Sequence, residues 1–142
     1  MNKVSNANEN EAACMAIVQR LYDAFERRDA TAALADMAPE IEWNEAESFL
    51  YSDRNPYLTP VEVAEGVFGR LASEWLDYRA TATENLFAHD VVVSIGRSTG
   101  THLKTGKPLD AQFVHVWRLR SNRIIGFQQF TDTLQFWRAA HV

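Results

Sequence analysis

The chain has 142 residues, 46% of them apolar and 23% charged, and a formal net charge of −5. That size suits one domain around a single core. An acidic chain without a basic block excludes the concentrated Lys/Arg surface that nucleic acid needs and offers nothing to an anionic membrane surface.

From the start of the chain, residues 1–10 are polar and read as a loose tail, not a signal peptide, ahead of one domain over 11–142. A first helix is expected from about Glu9 to Arg28, with Cys14, Ile17, Val18, Leu21, Tyr22 and Phe25 in one apolar stripe. Cys14 is the only cysteine, so no internal disulfide can form; a reducing, cytoplasmic location is expected. Asp29 suits the N-cap of a short helix over Ala30–Met37, and Pro39 blocks its extension. A strand is expected over Glu40–Glu47. Ser48–Leu58 then carries Phe49, Leu50, Tyr51, Tyr57 and Leu58, too apolar for a plain linker, and is expected to form a pocket entrance.

Thr59-Pro60-Val61-Glu62 marks a helix start, with Thr59 as cap, and the helix should reach Trp75. Four strands follow, at about Tyr78–Phe87, Asp90–Thr99, Leu109–Arg120 and Arg123–Asp132, and a last helix over Thr133–Ala140. Helices first and strands later imply an α+β fold, a curved, mostly antiparallel sheet wrapped around the N-terminal helices.

If Ser121-Asn122 is a two-residue hairpin loop, Arg120 opposes Arg123, and His115 opposes Gln128. One face of the hairpin then carries Phe113, His115, Trp117, Leu119, Gln128, Phe130 and Asp132. Aromatic walls with a few isolated polar groups are the make-up of a ligand pocket. The other face, with Val114, Val116, Ile125 and Phe127, is too apolar for water and suggests a homodimer interface.

His115 on an apolar wall can act as general acid or base, or be a neutral core histidine. Asp132 in such a pocket would have a raised pKa suited to proton transfer, or could simply cap the last helix. Trp43 marks the inner face of the first strand, which turns Glu45 inward and leaves Glu47 on a solvated edge. Tyr22 and Phe25 pack toward the same cavity, where Tyr22 can donate to an oxyanion or serve as plain core. His89, His102, His115 and His141 lack metal-site spacing, and no phosphate-cradling glycine loop is present, so no metal or cofactor is expected.

Thr105-Gly106-Lys107, Phe113-Val114-His115-Val116-Trp117, Ile124-Ile125 and Phe127-Gln128-Gln129-Phe130-Thr131-Asp132-Thr133 together resemble the SnoaL-like polyketide cyclases and ketosteroid isomerase-related proteins of the nuclear transport factor 2-like superfamily. Tyr22-x-x-Phe25-x-x-x-Asp29 and Glu40-Ile41-Glu42-Trp43 extend the resemblance over about Ala12–Thr133. It implies a cone of curved sheet filled by helices and homodimers packed through the outer sheet face. It also implies Asp132 as the cyclase acid/base and Glu45 in place of the isomerase base. The isomerase tyrosine would fall on Leu21, one short of Tyr22, and the Asp-Arg-Asp set of the epoxide hydrolases is missing.

The expectation is therefore a cyclase or isomerase moving a proton beside a carbonyl of an apolar small molecule. Asp132, His115 and Glu45 would be catalytic, and Tyr22, Phe25, Trp43, Phe113, Trp117, Gln128 and Phe130 would bind the substrate. The alternatives are a non-catalytic binding or dimerisation module, and a hydrolase or dehydratase in which Glu45 activates water.

Overall fold

The computed structural model describes residues 3–142, with side chains from residue 7 onward. Helix α1 spans Lys3–Glu26, so it starts well ahead of Glu9 and takes in most of the expected tail; Met1 and Asn2 lie outside the described residues. Its stripe buries Cys14, Ile17, Val18, Leu21 and Tyr22. The chain reverses at Arg28, which has φ +62°, and Asp29 caps α2 (Ala30–Leu34) by accepting from the Ala32 amide at 3.1 Å.

Helix α2 ends three residues short of Met37 because Met37 already begins strand β1, Met37–Asn44. Pro39 is tolerated there because β1 is an edge strand. After a 3-10 turn at Ser52–Arg54, the third helical stretch runs as α3 (Pro60–Val63), a π-helical turn (Ala64–Phe68) and α4 (Gly69–Glu74). Thr59 caps it through the Glu62 amide at 3.1 Å. The π turn brings the backbone against Tyr57: a Cβ on Gly66 would lie 2.3 Å from that ring, so only glycine fits.

Strands β2 (Trp75–Ala88), β3 (Val91–His102), β4 (Pro108–Arg120) and β5 (Arg123–Thr131) complete the sheet, in spatial order β1-β5-β4-β3-β2. Only β1 and β5 run parallel. The concave face packs on the helices. Curvature comes from bulges in β2 near Asp77 and Thr83, and from Gly96, where a Cβ would lie 1.9 Å from the Thr81 carbonyl oxygen. Helix α5 (Thr133–Ala140) seals one end with fully buried Phe136, 4.7 Å from Phe49.

The last hairpin departs from the expected register. Ser121 and Asn122 form the two-residue loop, both left-handed (φ 51° and 59°), and Arg120 opposes Arg123. Leu119 then pairs with Ile124 but Arg118 with Gly126, which leaves Ile125 as the extra residue of a bulge. Beyond it every pair is displaced by one: Trp117 faces Phe127 and His115 faces Gln129. A one-residue slip turns each side chain of β5 to the other face. Phe127 and Gln129 point inward, whereas Gln128 and Phe130, expected as pocket walls, point outward, with Phe130 55% exposed.

Most of Ser48–Leu58 is packed into the fold, and the segment lines neither of the cavities described below. Phe49, Tyr51 and Tyr57 are buried, and Tyr57 pairs with Trp43 through two backbone hydrogen bonds of 2.9 Å. The expected entrance is instead a brace for the end of β1. No helix among the described residues is long and apolar enough to cross a membrane.

Candidate active site

Trp43 points inward from β1 and stacks on Phe127 at 3.8 Å. Two residues on, Glu45 keeps that parity and is 3% exposed. Its backbone is clamped by the Asn55 side chain, which accepts from Glu45 N at 2.9 Å and donates to Glu45 O at 2.8 Å. Its carboxylate accepts from Trp43 Nε1 at 3.3 Å. Burial pushes the Glu45 carboxyl up to about 7, against smaller opposing effects of the Trp43 hydrogen bond and the Arg70 charge. Arg70 is itself held by a two-point pair with Asp53, at 2.8 and 3.1 Å, and by Tyr57 at 2.7 Å.

His115, from the middle of β4, lines the same hollow. It is stacked on Phe113 at 3.8 Å and faces Phe127 at 5.0 Å. Burial depresses its pKa to about 3, so the ring is neutral at ordinary pH. Which nitrogen carries the proton follows from its neighbours. The Tyr22 hydroxyl is 2.6 Å from Nδ1 and accepts from Trp117 Nε1 at 3.3 Å. An indole nitrogen only donates. Tyr22 therefore spends its one proton on His115 Nδ1, and the imidazole proton sits on Nε2. Nε2 has no protein partner among the described residues, so it offers a donor to the hollow.

Gln129 adds a second donor. The Ala46 amide donates to its Oε1 at 3.2 Å, which fixes the side-chain amide and leaves Nε2 free. Tyr78, fully buried, donates to Ser98 Oγ at 3.1 Å. Burial raises the pKa of both Tyr22 and Tyr78, so neither hydroxyl ionises in this setting. The hollow thus combines one carboxyl poised near neutrality with two fixed N–H donors behind aromatic walls. That suits removing a proton beside a carbonyl while holding the developing oxyanion.

Of the sequence candidates, Glu45, His115, Tyr22, Phe25, Trp43 and Trp117 meet around this hollow, with Phe113 behind the imidazole. Asp132 does not join them. It is half-buried at the end of β5 and caps α5 through the Gln135 amide at 3.4 Å. The displacement by the Ile125 bulge places Thr131, not Phe130, opposite Phe113, so Asp132 no longer falls opposite Ala111 as expected. Gln128 is also outside, donating to the Gln129 carbonyl at 2.8 Å. Phe127, Gln129, Phe68 and Tyr78 are pocket residues that the sequence reading missed. Gly126 was the one available signal, since glycine inside a strand often marks a bulge. Among the described residues, no three His, Cys, Asp or Glu side chains are grouped to hold a metal ion.

A helix-filled cone of curved sheet with its polar groups on the concave face defines the nuclear transport factor 2-like fold. Within it, the SnoaL-like domain matches residues 18–127, and the chain belongs to that family. The crystal structure of a nuclear transport factor 2-like protein from Burkholderia thailandensis is similar at 37% identity and TM-score 0.86, covering 91% of this chain and 98% of that one. TerC, co-crystallised with polyporic acid, is similar at 23% identity and TM-score 0.81 over 90% and 98%. IdmH, a putative polyketide cyclase from Streptomyces antibioticus, shares 20% identity at TM-score 0.75 over 91% of this chain and 99% of that one. No functionally curated protein matches the chain.

Proposed function

We propose that the protein is an acid–base enzyme of the cyclase or isomerase type, acting next to a carbonyl of an apolar small molecule. The observation that carries this is the meeting of a buried carboxyl poised at about 7 with a histidine whose Nε2–H is fixed toward the same hollow. The Glu45 carboxylate takes the proton from the α carbon and becomes a carboxylic acid. The electron pair of that C–H bond moves to the carbonyl oxygen, which His115 Nε2–H and the Gln129 amide hold as an enolate. Glu45 returns the proton to another carbon in an isomerisation; in a cyclisation the enolate carbon attacks a second carbonyl of the same molecule, and the alkoxide formed there takes the proton back from Glu45. Neutral His115 serves as donor and not as the second base. TerC's co-crystallisation with polyporic acid supports a small-molecule site in this fold.

The test is hydrogen–deuterium exchange at the α carbon of a simple ketone in D2O, followed by NMR. Wild-type protein should accelerate it with a rate rising through pH about 7, and Glu45→Gln should abolish the acceleration. Full activity in Glu45→Gln would sink the reading.

A non-catalytic binder is the second reading, favoured by the small size of the hollow, about 50 Å³. It predicts ligand affinity with no exchange in the wild type. A homodimer through the convex sheet face and a cytoplasmic setting belong to the same proposal. Val93, Val116 and Gln128 form one cross-strand row on that face, and Ile95, Val114 and Phe130 the next. The free Cys14 suits a reducing compartment.

A further inference from the structure

The Glu45–His115 hollow, about 50 Å³, has room for a few waters or a carbonyl with its adjacent carbons, and no more. A drug-sized ligand needs several hundred Å³. Next to the hollow lies a second cavity of about 480 Å³, between the α1–α2 corner, α4 and the start of β2. The two share Phe25, Phe68, Leu71 and Tyr78. Phe25 sits edge-on to Phe68 at 5.4 Å and to Tyr78 at 5.9 Å, so three rings form a collar between the chambers. Phe25 and Phe68 are only half-buried, open to the outer side.

The outer walls are hydrocarbon, with Ala33, Ala72, Trp75, Leu76 and Leu103 among them. Leu76 and Leu103 are 53% and 56% exposed, apolar surface that a ligand would cover. At the rim stand Arg28, Asp29 and Asp77. Arg28 already donates to the Tyr78 carbonyl at 2.6 Å, and Asp29 caps α2, so the rim shows no net pull for an anion.

We propose that the outer cavity seats the body of an elongated, uncharged, largely apolar ligand whose small carbonyl head alone passes the Phe25–Phe68–Tyr78 collar to reach Glu45 and His115. The head's role rests on the acid–base reading; the seat of the body does not. Selectivity for the body then lies in the α1–α2 corner, α4 and β2, and not in the Ser48–Leu58 segment, which lines neither chamber.

The probes are 2-acetylnaphthalene, a methyl ketone with a long apolar body, and acetone, the same head without the body. The variants are Ala72→Trp and Ala30→Trp, two exposed positions on different walls of the outer cavity. Each is checked for folding by circular dichroism. Dissociation constants come from quenching of tryptophan fluorescence, and exchange rates from NMR in D2O. Wild type should bind 2-acetylnaphthalene and exchange its methyl protons with higher kcat/KM than those of acetone. Both folded variants should weaken binding and lower the 2-acetylnaphthalene-to-acetone ratio by about tenfold each, equivalent to about 1.4 kcal/mol. An unchanged affinity and ratio in both variants, or no binding of 2-acetylnaphthalene by wild type, overturns the seat. Weakened binding with no exchange of either ketone by wild type upholds the seat and overturns the acid–base reading.

Discussion

The Tyr22 hydroxyl is 2.6 Å from His115 Nδ1 and donates to it, because its other partner, the Trp117 indole N–H, cannot take the proton. Trp117 is shared with Ser94 Oγ at 3.2 Å, and Ser94 in turn donates to Asn85. The Trp117 N–H, which donates to both Ser94 and Tyr22, leaves the Tyr22 proton for His115. Tyr22 is therefore a positioning residue. Its hydroxyl proton is committed to the ring, so it has none to give an oxyanion.

Tyr22→Phe removes that lock. His115 Nδ1 loses its donor, and Trp117 keeps only Ser94. Stability should fall by about 1–3 kcal/mol, the usual cost of an unpaired buried polar group. Nitrogen-15 NMR should show a wild-type ring protonated on Nε2 alone and a variant ring with both tautomers populated. A variant ring still protonated only on Nε2 would show that Tyr22 does not set it.

Glu45 and His115 also shape the response of stability to pH, in opposite senses. The His115 pKa falls from 6.5 to about 3 on folding. Its contribution is present above 6.5 and lost as pH drops toward 3, because the unfolded chain binds the proton first. The Glu45 pKa rises from 4.5 to about 7. Its contribution is present below 4.5 and lost as pH climbs through 7. Between 4.5 and 6.5 the two slopes cancel. In Glu45→Gln, stability over that window should rise with pH relative to wild type, and in His115→Gln it should fall, each by about 1.4 kcal/mol per pH unit. Denaturant titrations at four pH values measure both. Parallel curves for all three proteins would contradict the buried placement of the pair.

Much of this site is legible in sequence where the signal is local. Asp29 and Thr59 announce their helices by chemistry that acts within three residues. Ser121-Asn122 sets the hairpin loop, and alternation alone assigns Phe113, His115 and Trp117 to one face of β4. The parity of Trp43 carries Glu45 inward. The opposite strand is lost because one inserted residue, Ile125, reverses everything after it, and a period-two pattern has no memory of such an insertion. Phe68 and Tyr78 reach the pocket through the π turn and the β2 bulge, which are tertiary adjustments without a pattern in the chain.

The same slip decides between two carboxylates. Asp132 caps α5, whereas Glu45 lines the hollow. Asp132→Ala should cost about 1 kcal/mol, as loss of an N-cap does, and leave ketone exchange at the wild-type rate. Glu45→Gln should do the reverse, abolishing exchange. Denaturant melts and the exchange assay on both variants give the comparison. Loss of exchange in Asp132→Ala, with its fold intact, would restore the sequence assignment of Asp132 and remove Glu45 as sole base.

Phe130 offers the corresponding test for the sheet's outer surface. It is 55% exposed and lies opposite Val114, which lies opposite Ile95 on the next strand. Leu86, 52% exposed, pairs with Val93 in the neighbouring row. Leu86, Val93 and Val116 in one row and Ile95, Val114 and Phe130 in the next make an apolar patch, which ends at Gln128 on β5 and Glu84 on β2, and a second copy of the same patch would cover it. A charge at its β5 end disfavours that association, since it would have to be buried against the apolar patch of the second copy. Phe130→Glu should shift the protein from dimer to monomer in sedimentation velocity while binding of 2-acetylnaphthalene persists. If Phe130 were a pocket wall, the outcome would invert: the assembly state would stay constant and ligand affinity would fall. A wild-type protein that sediments as a monomer at every concentration would remove the dimer from the proposal and leave the pocket untouched.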